Sequence, residues 1–514
     1  MAKFMKELEK RGKMVSVIYT RALNALFAPE VRVEVHISNG LPAFTIVGMP
    51  ETAVKESKDR VIAAIVNSGF EFPNRKITIN LSPADLPKEG GRYDLPIALG
   101  VLEASGQIAK DPKAFEFVGE LALTGELRPI TGLLPTAIQV MKHRGTLIVP
   151  EDGAEEIGFL HYPAFLMAKT LRDVVAFIEG KQDLAKPPEI MVQRAEGMRD
   201  FSEVKGQFFA KRALEIAAAG GHNLLLIGPP GTGKTMLASR FITIMPSMTR
   251  EEAIESAMIA SISRQGFCAE QFGIRPYRTP HHTASSVALV GGGTYPKPGE
   301  ISLAHHGVLF LDELPEFNRG VLEVLREPLE SGIIHVSRAM QQVAFPAKFQ
   351  LLSAMNPCPC GYYGDPIHEC TCSDYGIARY RGRVSGPMLD RIDLHVEVPR
   401  ISTEELQSTQ VGESSKVIRM RVDSARARQM NRRQKMNADL SVSEIEQDCH
   451  LGEAEIKLLE MAQKRLNFSP RSYHRILRVA RTIADLEGAN EINSRHLTES
   501  LAFRALDRGY QSQN

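Results

Sequence analysis

The chain lacks several features that mark particular classes of protein. It has no tryptophan and only six cysteines in 514 residues, and four of the six lie close together, which argues against a disulfide-stapled secreted domain. The formal net charge is +1, so any surface for a polyanion must be local. No apolar run reaches the roughly 18 residues that span a bilayer, and the first residues form a charged segment without an apolar core. These absences predict a soluble, cytoplasmic protein with no membrane partner.

The length predicts two to four domains, each with an ample core. Residues 1–180 mix strand-like and helix-like segments, and residues 181–200 contain a Lys-Pro-Pro run with little periodicity. Residues 201–400 carry the nucleotide motifs described below, and residues 401–514 have helical periodicity. We therefore predict an N-terminal domain, a linker, a nucleotide-binding core and a helical C-terminal region within these boundaries.

An apolar run at Leu224–Ile227 leads into a stretch with the spacing G-x-x-x-x-G-K-[ST] and then into a helix-like segment. This is the context of a phosphate-binding P-loop, in which backbone amides and a helix N-terminus surround the β-phosphate. Lys234 is expected to reach the β- and γ-phosphates, and Thr235 to hold Mg²⁺ through its hydroxyl. The full motif is Gly228, Pro229, Pro230, Gly231, Thr232, Gly233, Lys234 and Thr235.

Two further strand-like segments end in polar residues that suit hydrolysis. Val308–Leu311 reads as a buried parallel strand and is followed by Asp312 and Glu313. Chemistry in α/β sheets is placed at this end of the strand, so Asp312 is predicted to support the Mg²⁺ shell and Glu313 to polarise the attacking water. Asn356 follows the next such strand and is predicted to orient the same water.

Four cysteines offer a set of metal ligands. Cys358 and Cys360 are followed, after nine residues, by Cys370 and Cys372. Four thiolates would suit a structural Zn²⁺, although the usual pair spacing is wider, C-x₂₋₄-C. Glycines and a proline between the pairs would let the loop turn back on itself. Zinc, free buried thiols and a redox pair all remain open as interpretations.

Longer motifs surround these elements, at residues 200–223, 280–283, 291–293, 298–305, 307–317, 356–361 and 385–393. On these motifs the chain closely resembles, over nearly its whole length, the YifB/ComM family of magnesium-chelatase-like AAA+ ATPases. The resemblance implies an α/β fold class with an N-terminal Lon-protease-like α+β domain, a P-loop AAA+ α/β core and a C-terminal helical lid. It also implies ATP and Mg²⁺ as ligands and a ring-shaped homo-hexamer.

The resemblance implies roles for two arginines. Arg391, within Leu389-Asp390-Arg391-Ile392-Asp393, resembles the arginine finger that stabilises charge at a neighbouring subunit's nucleotide. Arg471, at the start of a helix in the C-terminal region, resembles the second sensor, which acts on phosphate within its own subunit. Each arginine alone could equally form a surface salt bridge.

The N-terminal region departs from the Lon pattern at one place. Lon-type peptidases carry a serine nucleophile in a Gly-rich loop, with a lysine as base. The comparable loop here, residues 88–95, contains no serine. Because nucleophilic catalysis needs a hydroxyl beside its base, we predict that peptidase chemistry is absent and that the domain serves binding or assembly.

Two basic features point to DNA. Arg338 lies at the tip of a predicted hairpin that resembles the pore hairpin of related hexameric helicases. Residues 416–435, which include Arg426 and Arg433, carry eight basic residues against one acid. Such a stripe could bind a polyanion by counterion release, or be a solvated helix face, or pair with acids of a neighbouring subunit.

The leading functional prediction is an ATP-driven ring motor on DNA, such as a helicase or branch-migration factor in recombination or natural transformation. One alternative is a magnesium-chelatase-type motor for metal insertion, and another is an ATP-dependent protein unfoldase or protease component. The fused Lon-like domain and the cysteine cluster favour the YifB/ComM branch over a dedicated chelatase motor. The missing serine argues against proteolysis.

Overall fold

The computed structural model describes residues 15–189, 199–293, 296–337, 342–407, 412–466 and 468–504. These residues form two compact units. The first contains residues 15–189 and 257–272, and the second contains residues 199–256 and the described residues from 273 onward. Among the described residues, no helix combines the length and apolarity needed to cross a bilayer.

The first unit is built on a seven-stranded mixed sheet. The strands of the unit are β1 (Val15–Arg21), β2 (Glu30–Ser38), β3 (Ala43–Val47), β4 (Lys76–Ser82), β5 (Phe115–Phe117), β6 (Glu120–Leu121), β7 (Leu127–Arg128), β8 (Thr146–Pro150) and β9 (Phe165–Ala168). The sheet order is β3-β4-β2-β1-β5-β8-β9, and β6 pairs with β7 separately. In β2, Val31, Val33, Val35 and Ile37 are buried and alternate with less buried residues, as expected for a strand with one face on a core.

The helices of this unit are α1 (Thr52–Asn67), α2 (Asp94–Ala104), α3 (Leu133–Lys142), α4 (Glu155–Gly158) and α5 (Leu171–Ile178). Every residue of α2 is buried, which suits its nearly continuous apolar sequence. The helix lies close against the sheet, since a Cβ at Gly100 would come within 2.5 Å of Val35 Cγ2. The buried carboxylate of Asp94 is paired with Arg60 of α1 at 2.7 Å.

The loop compared with the peptidase nucleophile loop lies just before α2. Lys88 is buried and its ammonium donates a hydrogen bond to the carbonyl of Pro83. Arg92 is also buried, and its guanidinium donates to the carbonyls of Arg21 and Thr131. Both cations are therefore engaged with backbone oxygens. The absence of peptidase chemistry stays a prediction.

The second unit contains a larger set of elements. Its strands are β10 (Leu224–Ile227), β11 (Tyr277–Arg278), β12 (Gly291–Gly292), β13 (Lys297–Pro298), β14 (Val308–Leu311), β15 (Ile333–Ser337), β16 (Gln342–Pro346), β17 (Gln350–Met355) and β18 (Leu394–Glu397). Five of them form a wholly parallel sheet in the order β11-β14-β17-β10-β18, and β15 and β16 form a separate antiparallel hairpin. All residues of β10, β14 and β17 are buried, as parallel strands covered on both faces require.

The helices of the second unit begin with α6 (Phe208–Gly220), α7 (Lys234–Ile244), α8 (Arg250–Ser261, which continues into the first unit), α9 (Ser286–Val290), α10 (Glu300–Leu303), α11 (Arg319–Val324), α12 (Arg326–Ser331), α13 (Asp374–Arg381) and α14 (Gly386–Leu389). The helices of the C-terminal region are α15 (Thr403–Gln407), α16 (Ser415–Arg433), α17 (Val442–Asp448), α18 (Glu453–Leu466), α19 (Pro470–Glu487) and α20 (Ser494–Ala502). This arrangement confirms the expected α/β class with parallel strands and a helical C-terminal region.

A buried carboxylate joins α16 and α19. Asp485 of α19 is 2 % exposed. Its two carboxylate oxygens accept hydrogen bonds from Nη1 and Nη2 of Arg432, at 2.9 and 2.8 Å. It also accepts from Arg481 at 3.0 Å and from the amide of Asn437 at 2.8 Å. One anion thus satisfies donors from two helices and the turn between α16 and α17.

We predict that Asp485→Ala lowers the free energy of unfolding of the second unit by about 3–5 kcal/mol, because buried cations lose their counter-ion. Lys435→Ala removes an exposed partner of Glu444 and should cost less than about 1 kcal/mol. Urea unfolding followed by circular dichroism measures both. Equal, small effects of the two substitutions would contradict the structural importance of this network.

Candidate nucleotide site

The P-loop connects the buried strand β10 to α7. Gly231 and Gly233 adopt φ of 78° and 87°, in the left-handed region that favours glycine. At Gly228 a Cβ would lie 2.2 Å from the carbonyl oxygen of Val398, so only glycine fits there. Thr232 closes the loop by donating from its hydroxyl to the carbonyl of Pro229 at 3.0 Å. The loop therefore has the glycine-dependent backbone expected of a P-loop and leads directly into the N-terminus of α7, a position that suits an anion.

Lys234 lies at the centre of the loop. Its ammonium donates to the carbonyls of Gly228 and Pro229, at 2.6 and 2.8 Å, and to Asn356 Oδ1 at 3.2 Å. Burial lowers the pKa of this ammonium to about 8, although the charges of Asp312 and Glu313 partly oppose the shift. The lysine is thus held beside both the loop and the polar residues of the neighbouring strands.

The predicted magnesium ligands meet. Asp312, directly after β14, accepts a 2.7 Å hydrogen bond from the hydroxyl of Thr235, 77 residues away in sequence. A hydroxyl and a carboxylate oxygen at this separation are ligands that suit Mg²⁺, which usually binds one or two carboxylates together with phosphate oxygens. The two residues can therefore share one ion.

Glu313 has an unusual backbone. Its φ is 53°, in the left-handed region that a non-glycine residue seldom adopts. Strained residues of this kind are concentrated at functional sites, where the surrounding structure holds them in place. The half-exposed carboxylate lies 3.3 Å from Nδ1 of His282. Glu313 is thus directed out of the sheet edge and toward the loop after β11.

Strand order explains the position of Asn356. Because β17 lies between β10 and β14, its carboxyl end falls between the P-loop and Asp312. Asn356 is the first residue after β17, and it contacts Lys234 across 122 residues of sequence. The structure therefore brings together Lys234, Thr235, Asp312, Glu313 and Asn356 at one edge.

Two residues of this region had no role predicted from sequence. The first is His282, whose ring lies 4.1 Å from that of His281 between centroids, tilted by 33°, and contacts Glu313. The second is Gln207, which has a left-handed φ of 53° and donates from its side chain to the carbonyls of Thr232 and Pro399, at 3.4 and 2.7 Å. Both lie in motifs of the resemblance, but no spacing rule links them to the P-loop.

The two predicted arginines of the ring mechanism lie elsewhere. Arg391 follows α14 and donates to the carbonyls of Arg326 and Pro387, at 3.2 and 2.6 Å, and pairs with Glu330. Arg471 is an exposed residue in the first turn of α19, after the N-cap Ser469. Neither of these positions tests the assigned roles, which remain predictions.

The basic stripe on α16 is largely engaged within the chain. Arg426 donates to the carbonyls of Ala218 and Ala219 at the end of α6, both at 2.8 Å. Arg433 pairs with Asp448 at 2.9 Å. These contacts favour a structural role for both arginines and do not support the predicted DNA contact. Arg338 lies outside the described residues.

The four clustered cysteines converge. Their sulfur atoms all lie within 4.8 Å of one another, and none of the four forms a disulfide. Cys358 is buried and the other three are half-buried. Cys358, the first of the four, lies two residues after Asn356, so the cysteine cluster adjoins the nucleotide site.

Comparison with protein families assigns most of the chain. Residues 33–153 match the family described as subunit ChlI of Mg-chelatase. Residues 200–406 match the family described as magnesium chelatase, subunit ChlI, and residues 412–504 match its C-terminal family. The second of these matches contains all the converging residues of the nucleotide site.

Full-length relatives are also similar. The chain is 52 % identical over 497 residues to the protein YifB of Escherichia coli and 51 % identical over 501 residues to the competence protein ComM of Haemophilus influenzae. Each alignment covers 96 % of this chain and 98 % of the relative. The chain is also 38 % identical over 499 residues to the protein Rv2897c of Mycobacterium tuberculosis. That alignment covers 95 % of this chain and 98 % of the relative.

We predict that nucleotide affinity falls as the pH rises from 8 to 10. Burial lowers the pKa of the Lys234 ammonium to about 8, so in the free protein the ammonium progressively loses its proton as the pH rises through this range, and phosphate oxygens would raise that pKa on binding. Binding then takes up a proton, and affinity falls by up to about tenfold per pH unit. Titration with a fluorescent ATP analogue measures the slope. Lys234→Ala should lack it, and an equally steep slope in that variant would contradict the assignment.

Proposed function

The chain belongs to the YifB/ComM family of magnesium-chelatase-like AAA+ ATPases, and we propose that it uses ATP hydrolysis to drive a ring motor on DNA. The family resemblance inferred from the sequence is thereby confirmed, as is the Lon-like AAA+ fold class. The observation that carries the proposal is the convergence of Lys234, Thr235, Asp312, Glu313 and Asn356 at one sheet edge.

Each residue at that edge has a distinct task in hydrolysis. Lys234 exchanges its carbonyl contacts for the β- and γ-phosphate oxygens of ATP. Thr235 and Asp312 would hold Mg²⁺, which would supply positive charge against the negative charge that develops during hydrolysis. Glu313 accepts a proton from water as the water oxygen attacks the γ-phosphorus. The bond from that phosphorus to the β-bridging oxygen breaks, and ADP and phosphate leave. Asn356, which already contacts Lys234, orients the water.

Completion of the site requires a second subunit. We assign Arg391 as the arginine finger that a neighbouring subunit contributes, and Arg471 as the sensor that acts within its own subunit. Arg391 is only 11 % exposed, but its ion-pair partner Glu330 is 61 % exposed. Arg391 can therefore leave Glu330 and bind a phosphate oxygen of the neighbouring subunit's nucleotide instead. Arg471 is exposed and free to approach phosphate. The proposed assembly is a homo-hexamer, in which each site lies between two subunits.

Coupling to DNA is supported by the loop that follows β11. His282 contacts the carboxylate of Glu313, the proposed proton acceptor. Residues 283–289, directly after His282, resemble a second insertion that lines the pore of related hexameric helicases. If DNA displaces this insertion, His282 would move with it and the position of the Glu313 carboxylate would change. The β15–β16 hairpin, which carries Arg338 beyond its described strands, is the second proposed contact. The H. influenzae relative is named a competence protein, which is consistent with a role on incoming DNA.

A motor for metal insertion is the second candidate function. It is favoured by the three family matches, each of which is described by the chelatase subunit ChlI. A protein unfoldase is the third candidate, by virtue of the Lon-like domain. The three functions differ in the molecule that should stimulate ATP hydrolysis: DNA, a porphyrin or an unfolded protein. Zn²⁺ at the four cysteines is compatible with all three.

The test is steady-state ATP hydrolysis with and without single-stranded and branched DNA. We predict severalfold stimulation by DNA in the wild-type chain. Glu313→Gln should lower hydrolysis at least about a hundredfold, while nucleotide still binds, because only the proton acceptor is lost. The matched control is Glu316→Gln, which alters a nearby glutamate paired with Arg383 instead of the site. Stimulation by porphyrin or unfolded protein, with none by any DNA, would contradict the DNA motor.

A further inference from the structure

Residues 358–372 form a segment that has neither helix nor strand. The segment is also poor in buried apolar side chains: Cys358 and Gly361 are the only residues in it that are buried as a whole, and Ile367 is 71 % exposed. A segment of this length cannot offset its conformational entropy by apolar burial and needs another constraint, such as a metal. The four cysteines lie at its two ends.

The sulfur positions fit a single tetrahedral ion. The Sγ–Sγ distances are 3.3 Å for Cys358–Cys360, 3.7 Å for Cys358–Cys370 and 3.6 Å for Cys360–Cys370. Four sulfurs at about 2.3 Å from one Zn²⁺ would be separated by roughly 3.8 Å. All three distances are far beyond a disulfide of about 2.05 Å. An iron–sulfur cluster, being larger than one ion, would spread its four ligands more widely than 4.8 Å.

Backbone amides support the sulfurs. The amide of Tyr363 donates to Cys358 Sγ at 3.3 Å, and the amide of Cys360 donates to Cys372 Sγ at 3.4 Å. Hydrogen bonds to ligand atoms orient the inner ligands of metal sites and stabilise thiolate charge. The second of these bonds also crosses from one cysteine pair to the other, so it fixes the register between them.

The cysteine segment is packed directly on the nucleotide site. A Cβ at Gly361 would come within 2.8 Å of Cδ of Pro230 in the P-loop and 3.9 Å of Cγ of Asn356. Further along, Asp365 has a fully buried carboxylate that accepts from Arg400 at 2.5 Å. The segment is therefore anchored to the residues after β18 as well as to the P-loop.

We infer that the four cysteines bind one Zn²⁺ and that this ion braces the segment that holds Asn356 against the P-loop. The zinc is structural, with all four positions filled by sulfur, and it touches no substrate. Cys358 is two residues from Asn356, and Gly361 contacts Pro230, so ordering of the segment positions both. The cysteines act through Asn356 and are positioning residues. This effect on hydrolysis rests on the proposed ATPase function, whereas zinc binding does not.

The first experiment is metal analysis of the purified full-length chain under reducing conditions. We expect about one zinc and no iron per chain. A double variant, Cys370→Ser with Cys372→Ser, should lose the zinc. Cys268→Ser is the matched control, because this exposed cysteine lies outside the cluster, and it should keep the zinc. A wild-type chain that contains no zinc and takes up none on reconstitution would overturn the inference.

The second experiment measures the order of the segment by limited chymotrypsin digestion. Tyr362 and Tyr363 lie between the cysteine pairs, and we expect cleavage there to be much faster in the double variant, or after chelation, than in the zinc-loaded protein. Cleavage that is equally slow with and without zinc would overturn the bracing role, because the segment would then be ordered by other contacts.

The third experiment links the brace to hydrolysis. The double variant should lose about tenfold or more in kcat, as misplaced catalytic groups do, with less than about a threefold change in ATP affinity. Wild-type kcat in a zinc-free variant would overturn the positioning role. If the zinc-loaded wild-type chain hydrolyses no ATP at all, the proposed function fails, while zinc content and cleavage still decide whether the brace exists.

Discussion

The strand order of the parallel sheet is the constraint on which the nucleotide site depends. With β17 between β10 and β14, the P-loop, Asn356 and Asp312 emerge side by side at the same edge. A parallel sheet also needs helices on both faces, and the P-loop helix α7 is one of them. The same arrangement that buries β10, β14 and β17 therefore brings together, at one sheet edge, the residues that we propose hold a phosphate, a magnesium ion and a water.

The basic residues of α16 mainly stabilise contacts between helices of the second unit. The chain is almost neutral overall, and the basic stripe of α16 is used largely inside the second unit. Arg426 donates hydrogen bonds to the carbonyls of Ala218 and Ala219 at the C-terminal end of α6, and Arg432 forms an ion pair with the buried Asp485. Half-buried guanidinium groups with such partners hold helices in a defined register, and their loss would leave unpaired groups. These intrachain contacts favour a structural role for Arg426 and Arg433, and DNA binding by the stripe stays a prediction.

Local sequence patterns predicted much of the fold and the site. The P-loop spacing, the apolar strands that end in Asp312 and Asn356, and the helical periodicity of the C-terminal region all depend on residues near one another in the chain. His282 and Gln207 could not be found in this way, because their contacts with Glu313 and the P-loop depend on tertiary folding. The cysteine spacing left zinc, free thiols and a redox pair open, and only the sulfur distances, which depend on tertiary folding, give the inference of zinc its support. The contacts of Arg426 could not be predicted either, since helical periodicity does not say which basic residues are paired within the chain.

The nucleotide site and the zinc brace make one account, in which the segment after β17 positions Asn356 and the sheet positions its partners. A cryo-EM structure of the Glu313→Gln chain with Mg-ATP tests it most directly. The account predicts phosphate oxygens on Lys234, a magnesium ion on Thr235 and Asp312, and Asn356 beside the γ-phosphate, with Arg391 of the partner subunit approaching the same phosphate. Nucleotide bound away from this sheet edge, or Asp312 and Asn356 remote from magnesium and the γ-phosphate, would contradict it.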